Sequence, residues 1–216
     1  MLLQALVIPA VMIVSLTALI LLISQDWRVS IVALAVQYGG VFILVSFSWS
    51  FEMSVVKLVA GWMAGAVLGV ALAGKEPGFP GDKHGEKRGL VNALFRILVA
   101  IIVGLMIFSL VPKFMVWLSS MELTKLTHIE QAYGFLILVG FGLLHLGLKT
   151  QPFHVVIGLL TVLGGFEVFY ASVESSTLVA GLLGGITLGL ALLGAYLCGI
   201  EHPWGTEHPW GTEHPL

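Results

Sequence analysis

Within GLLTVLGGFEVFYASVESS (158–176), Glu167 stands in an almost wholly apolar stretch, with no water-loving neighbour for several residues on its N-terminal side. An ionisable group in hydrocarbon costs about 3 kcal/mol or more, so such residues usually face a bundle interior or an aqueous path. Glu174 follows seven residues later. On a helix that spacing is nearly two turns, which puts both carboxylates on one stripe with Tyr170 between them. The stripe has the makings of one wall of a proton or cation path. Lys57 enters its own apolar segment from the same membrane surface, about one turn in, and is the cation expected to meet Glu167. Two states are open from the sequence: Glu167 held neutral by desolvation, or ionised and paired with Lys57. Gln37 is the main neutral polar addition within the spans. The plainer alternative is a glutamate that only locks its helix to a neighbour.

The remaining intramembrane ionisable groups point to blander roles. Arg96 lies about two turns from a helix end, within snorkelling reach of headgroups. His145 and His154 flank the short connection 149–152 and are expected as interfacial residues. The C-terminus, EHPWGTEHPWGTEHPL (201–216), repeats a six-residue unit whose prolines forbid a helix. Its His202, His208 and His214 are weak candidates for a transition metal, and its Trp204 and Trp210 for headgroup contact. A tolerated duplication at a free terminus is the simpler expectation.

The elements that must carry these groups follow from composition. Hydrophobic residues are 58% of the chain and charged residues 10%, with a mean hydropathy of +1.02. Soluble domains run at about 45–50% and about 25% respectively, so this chain is built for lipid. A net charge of -2 gives no reason to expect nucleic acid. Cys198 is the one cysteine, so no disulfide framework or thiolate metal site forms within one chain.

A bilayer span takes about 20 apolar residues in a helix. Seven stretches qualify: 4–24, 30–49, 53–73, 90–111, 129–148, 153–174 and 177–199. The expected fold is therefore an all-α, polytopic bundle of about seven transmembrane helices, since backbone groups in lipid must be satisfied internally. The first span is read as retained rather than as a cleaved signal. Short connections (QDWR, SFE, LKTQP, ESS) force antiparallel neighbours. The Gly-, Pro- and charge-rich stretch 74–89 is expected as a cytoplasmic loop between an N-terminal three-helix segment (1–73) and a C-terminal four-helix segment (90–200). Residues 112–131 are expected to lie along the interface as a short amphipathic piece.

Alternating the connections across the membrane collects Arg28, Lys75, Lys83, Lys87, Arg88 and Lys149 on one side, and Lys113 and Lys125 on the other. The positive-inside rule makes the first side cytoplasmic, with the N-terminus outside and the C-terminus inside a plasma (inner) membrane. Glycines at 61, 65 and 69, and again at 181, 185 and 189, recur every four residues and are expected to mark close helix contacts.

Several segments together resemble a family. GFLILVGFGLLHLGLKTQPFHVVIGLL (134–160), with its Val156-Ile157-Gly158 step, and GITLGLALL (185–193) are similar to the K-type membrane subunit of NADH–quinone oxidoreductase. SQDWRVSIVALAVQYGGVFILVSF (24–47) followed by VKLVAGWMAGAVL (56–68) resembles the E-component of hydrogenase-4. The resemblance carries Lys57 across. It departs at Leu160 and near Gly185, where the family places carboxylates. It implies an accessory membrane subunit of an ion-translocating respiratory or cation/proton antiporter complex, partnered by the bilayer and by larger membrane subunits. With a displaced glutamate, that subunit is a scaffold or an altered relay. The alternative is a small independent transporter or channel using Glu167 and Lys57. No nucleophile–base pair or nucleotide loop is present in the sequence, so neither a catalytic centre of the chain's own nor a bound cofactor is expected.

Overall fold

The computed structural model describes residues 2–73, 86–120 and 129–200, with side chains over 6–73, 94–118 and 129–200. These residues form seven helices and, among the described residues, no strand: α1 (Leu2–Ile23), α2 (Trp27–Val45), α3 (Phe51–Ala73), α4 (Glu86–Ser120), α5 (Ile129–Leu148), α6 (Pro152–Val173) and α7 (Thr177–Ile200). Each is long and apolar enough to cross a bilayer, so the protein is a multi-pass membrane protein.

Local chemistry sets the short boundaries. Asp26 is extended (φ -80°, ψ 122°) just before α2. Pro152 opens α6, where its missing N–H costs nothing. Glu174 is extended (φ -139°, ψ 146°) and ends the same helix.

Both ends of α4 differ from expectation. The stretch 112–120 does not lie apart as an interfacial segment; it continues α4, a 35-residue helix that runs through Pro112. A proline removes one backbone hydrogen bond, yet membrane helices tolerate it because neighbouring groups re-satisfy the freed carbonyl. Of the loop expected at 74–89, residues 86–89 belong instead to the start of α4; residues 74–85, residues 121–128 and the tail with His202, His208 and His214 lie outside the described residues.

The helices pack in two rows. In one, α2 touches α1 and α3; in the other, α6 touches α5 and α7. The rows stack in register, α1 on α5, α2 on α6 and α3 on α7, while α4 packs on the outside against α5 and α1. Burial follows the same plan: 61% of the α6 span is buried inside the protein but only 17% of the α4 span. The helix that carries Glu167 is therefore the most enclosed.

Cross-connections fix the two faces. At the upper face, Trp49 Nε1 donates to the Glu174 carbonyl at 2.8 Å, tying the α2–α3 turn to the α6–α7 turn. At the lower face, the Lys149 ammonium donates to the Ser24 carbonyl, tying the α5–α6 turn to the α1–α2 turn. Between them lies an apolar layer that includes Leu34, Leu68, Val156, Ile157, Leu160 and Ala191.

Close packing is concentrated between α5 and α6. A Cβ at Gly142 would meet Val162, its backbone nitrogen at 2.9 Å, and one at Gly165 would meet Leu138 and Val139. The glycine stripe expected on α7 is a correction. Gly181, Gly185 and Gly189 are exposed with no neighbour within 4 Å of an added Cβ. The packed face of α7 instead carries Ala180, Leu183, Thr187, Ala191, Gly194 and Cys198. A four-residue repeat specifies a stripe but not which way it turns.

Candidate functional site

Four helices from both rows (α2, α3, α6 and α7) meet around Glu167. Six residues below the upper end of α6, it sits ~9 Å along the helix. Lys57, six residues into α3 from the same face, reaches the same depth. The two form an ion pair and hydrogen bond through the lysine ammonium and Glu167 Oε1, with 2% and 0% of their side chains exposed. Of the two states the sequence left open, the structure brings the partner to the carboxylate. Both residues lie on inward stripes, Lys57 with Ser54, Ala60, Gly61 and Ala64, and Glu167 with Gly164 and Ala171. Small neighbours leave room for the two charged side chains.

Two residues that the sequence reading did not single out complete the junction. Thr187 on α7 shares its one hydroxyl proton between Glu167 Oε1, 3.3 Å away, and Leu183 O of its own helix, 2.9 Å away. The buried Tyr38 hydroxyl lies within electrostatic reach of Glu167 and close to Thr187, but outside hydrogen-bonding geometry. Its ring lies flat against Gly61, where a Cβ has no space. Thr187 was disguised by the glycine and leucine run around it, and Tyr38 by an aromatic's usual place in a core. The available signal was depth: each lies within ~15 Å of the upper helix ends, at or just below the Lys57–Glu167 level. Glu167 Oε2 and Tyr38 Oη have no hydrogen-bond partner.

The other sequence candidates fall elsewhere. Gln37 is buried on α2 with its Oε1 unpartnered, and no hydrogen bond joins it to the pair. Tyr170 stands edge-on to Trp49 (centroids 6.4 Å apart) and stacks on Phe166 (6.2 Å). Glu174 is exposed beyond the end of α6, and its Oε1 accepts from the Ser175 amide at 3.3 Å. The stripe expected to join Glu167, Tyr170 and Glu174 therefore stops with the helix at Val173.

A second polar group closes the upper end. Gln131, 1% exposed, donates to Leu44 O at 2.9 Å and Ser48 Oγ at 3.1 Å, and accepts from Ser172 Oγ at 3.4 Å. It ties α5 to α2 and α6 just above the ion pair.

The lower face holds a different cluster. His145 and His154, expected at an interface, are both buried, with ring centroids 5.7 Å apart. Lys149 Nζ lies 3.4 Å from His154 Nδ1, and His145 Nε2 has no partner. Arg96, half-buried on α4, acts electrostatically on all three. Burial pushes the Lys149 ammonium down to about 8, helped by the Arg96 guanidinium. No described carboxylate contributes to the field at His145, Lys149 or His154.

The chain matches no protein-family model, no curated protein and no solved structure.

Proposed function

We propose that this protein is an accessory integral-membrane subunit of an ion-translocating complex of the respiratory or cation/proton antiporter kind. The observation that carries the reading is the Lys57–Glu167 pair, enclosed on every side by protein inside a lipid-soluble bundle. Burying two charges is rarely repaid in stability, since a well-packed apolar pair of the same volume is often as good or better. Charges placed there at such a cost therefore argue for use. Glu167 Oε2 offers an acceptor, and the Tyr38 hydroxyl a donor and acceptor, at the same junction. That is the equipment for taking up and handing over a proton. The apolar layer below, through Leu160, Ile157 and Val156, separates this junction from the lower histidines. Alone, the chain holds a half-site, which suits a subunit whose larger neighbours complete the path. The resemblance of 24–47, 56–68, 134–160 and 185–193 to such subunits points the same way. The lower face, richer in Lys and Arg, is cytoplasmic in this reading.

Purifying the full chain from its native membrane under mild detergent tests this. Larger multi-pass subunits are expected to come with it, and recovery as a lone monomer contradicts the proposal. One observation favours an independent transporter instead. The charge pair bridges the two stacked rows, α1–α3 and α5–α7, which run in the same directions, and transporters place their sites between such units. Under that alternative, proteoliposomes of the protein alone conduct protons, and Glu167→Gln stops them.

A further inference from the structure

A groove of about 470 Å³ runs along the outer side of the α1/α2 pair, away from the ion pair. Leu16 and Ile20 form one wall; Val29, Val32 and Val36, one face of α2, form the other. Thr17 lies in the groove too, but its hydroxyl is committed to its own helix, at Ile13 O (2.8 Å) and Val14 O (3.0 Å). The interior offers hydrocarbon contact alone.

Its lower mouth is different. Arg28, second residue of α2 and exposed, closes that end with its guanidinium 5.2 Å over the Trp27 ring. The one ion pair among the described residues is Lys57–Glu167; Asp26 stands two residues before Arg28, but no described carboxylate lies within ion-pair distance of it. From Arg28 to Val36 the groove spans eight residues, ~12 Å of helix. Half of a ~30 Å hydrocarbon core is ~15 Å. The groove thus runs from headgroup level to near the bilayer midplane, within one leaflet.

We propose that this groove binds one anionic phospholipid, its phosphate on Arg28 and an acyl chain along Leu16, Val29, Val32 and Val36. A partner helix is the lesser fit. Helices in lipid associate through small residues that let backbones approach, whereas these walls are mainly branched aliphatics, with Thr17 and Ala33 the only small residues among them. A helix also leaves the Arg28 charge unmet, while a headgroup phosphate accepts from it in bidentate fashion. Trp27 sits where interfacial aromatics collect. The site adds a lipid dependence to the protein and is independent of the function proposed for the ion pair.

Native mass spectrometry of the full chain, titrated with phosphatidylglycerol or phosphatidylcholine, tests the assignment. The tightest lipid is expected to favour phosphatidylglycerol by about fivefold, the effect of one basic residue at the membrane surface. Arg28→Gln is expected to erase that preference while both lipids still bind. Val32→Trp, at a position already facing lipid, is expected to weaken both equally by filling the groove. Equal affinity for the two lipids in the unaltered protein overturns the proposal. So does a preference that survives Arg28→Gln, or a second copy of the chain or another membrane protein found on α1/α2 by crosslinking from position 32.

Discussion

Two buried polar clusters sit in opposite halves of the bundle, ~20 Å apart along α6, and they meet the cost of burial by different means. At the upper junction Lys57 and Glu167 cancel each other, with Thr187 adding a third contact. At the lower face Lys149, His145, His154 and Arg96 lie together; Lys149 donates to the neutral Ser24 carbonyl, and no described carboxylate compensates their charge. A compensated pair becomes costly when one member is removed. An uncompensated basic group is relieved by losing a proton. The upper site should therefore be sensitive to mutation and the lower one to pH.

Removing half of the upper pair is the largest expected effect. Lys57→Met strands a carboxylate at full burial and is expected to destabilise the protein by about 3–5 kcal/mol, read from equilibrium unfolding in mixed micelles. Lys149→Met gives up the bond to the Ser24 carbonyl but relieves an uncompensated charge, so it should cost far less than Lys57→Met. If both substitutions cost the same, the comparison fails.

Next is the response of the lower cluster to pH. The unfolded chain keeps the Lys149 proton up to about 10.5, while the folded chain gives it up near 8. Between those values the unfolded state binds more protons, so stability rises with pH, and below about 8 the cost is constant. The ceiling is about 3 kcal/mol, at about 1.4 kcal/mol per pH unit. Thermal unfolding followed from pH 7 to 10 should show the rise, and Lys149→Met should flatten it.

Smaller effects sharpen the upper site. Gly61→Ala puts a methyl into the Tyr38 ring and is expected to cost about 1–3 kcal/mol through overpacking. Gln131→Leu removes the bonds to Leu44 O and Ser48 and is expected to cost about 1–2 kcal/mol. A Gln131 variant as damaging as Lys57→Met would mean that hydrogen bonding, and not charge, holds the upper junction.

Much of this architecture was legible in the sequence because lipid imposes a crude ruler. Length and hydropathy were enough to place all seven helices. Depth from a common face was enough to pair Lys57 with Glu167 without knowing any contact. What stayed hidden depended on rotation and on turns. Glu174 shares the Glu167 stripe only while the helix lasts, and the extended backbone at Glu174 breaks it. Gly181, Gly185 and Gly189 repeat as a packing stripe would, yet turn outward. Lys149 counts with the basic residues of one membrane side, and its position in the sequence does not show that the α1–α2 turn folds over it and leaves only 6% of the residue exposed. Pro112 and Lys113 read as a break, and α4 continues through both.

The central claim is that Glu167 and Lys57 act as one charge-compensated unit shielded by protein. The most direct measurement is a double-mutant cycle on unfolding free energy with Lys57→Met, Glu167→Met and the two combined. The single variants should each lose several kcal/mol, and the double variant, holding an apolar pair of similar volume, should lose less than either. Additive losses, with the double variant worse than both singles, would contradict it.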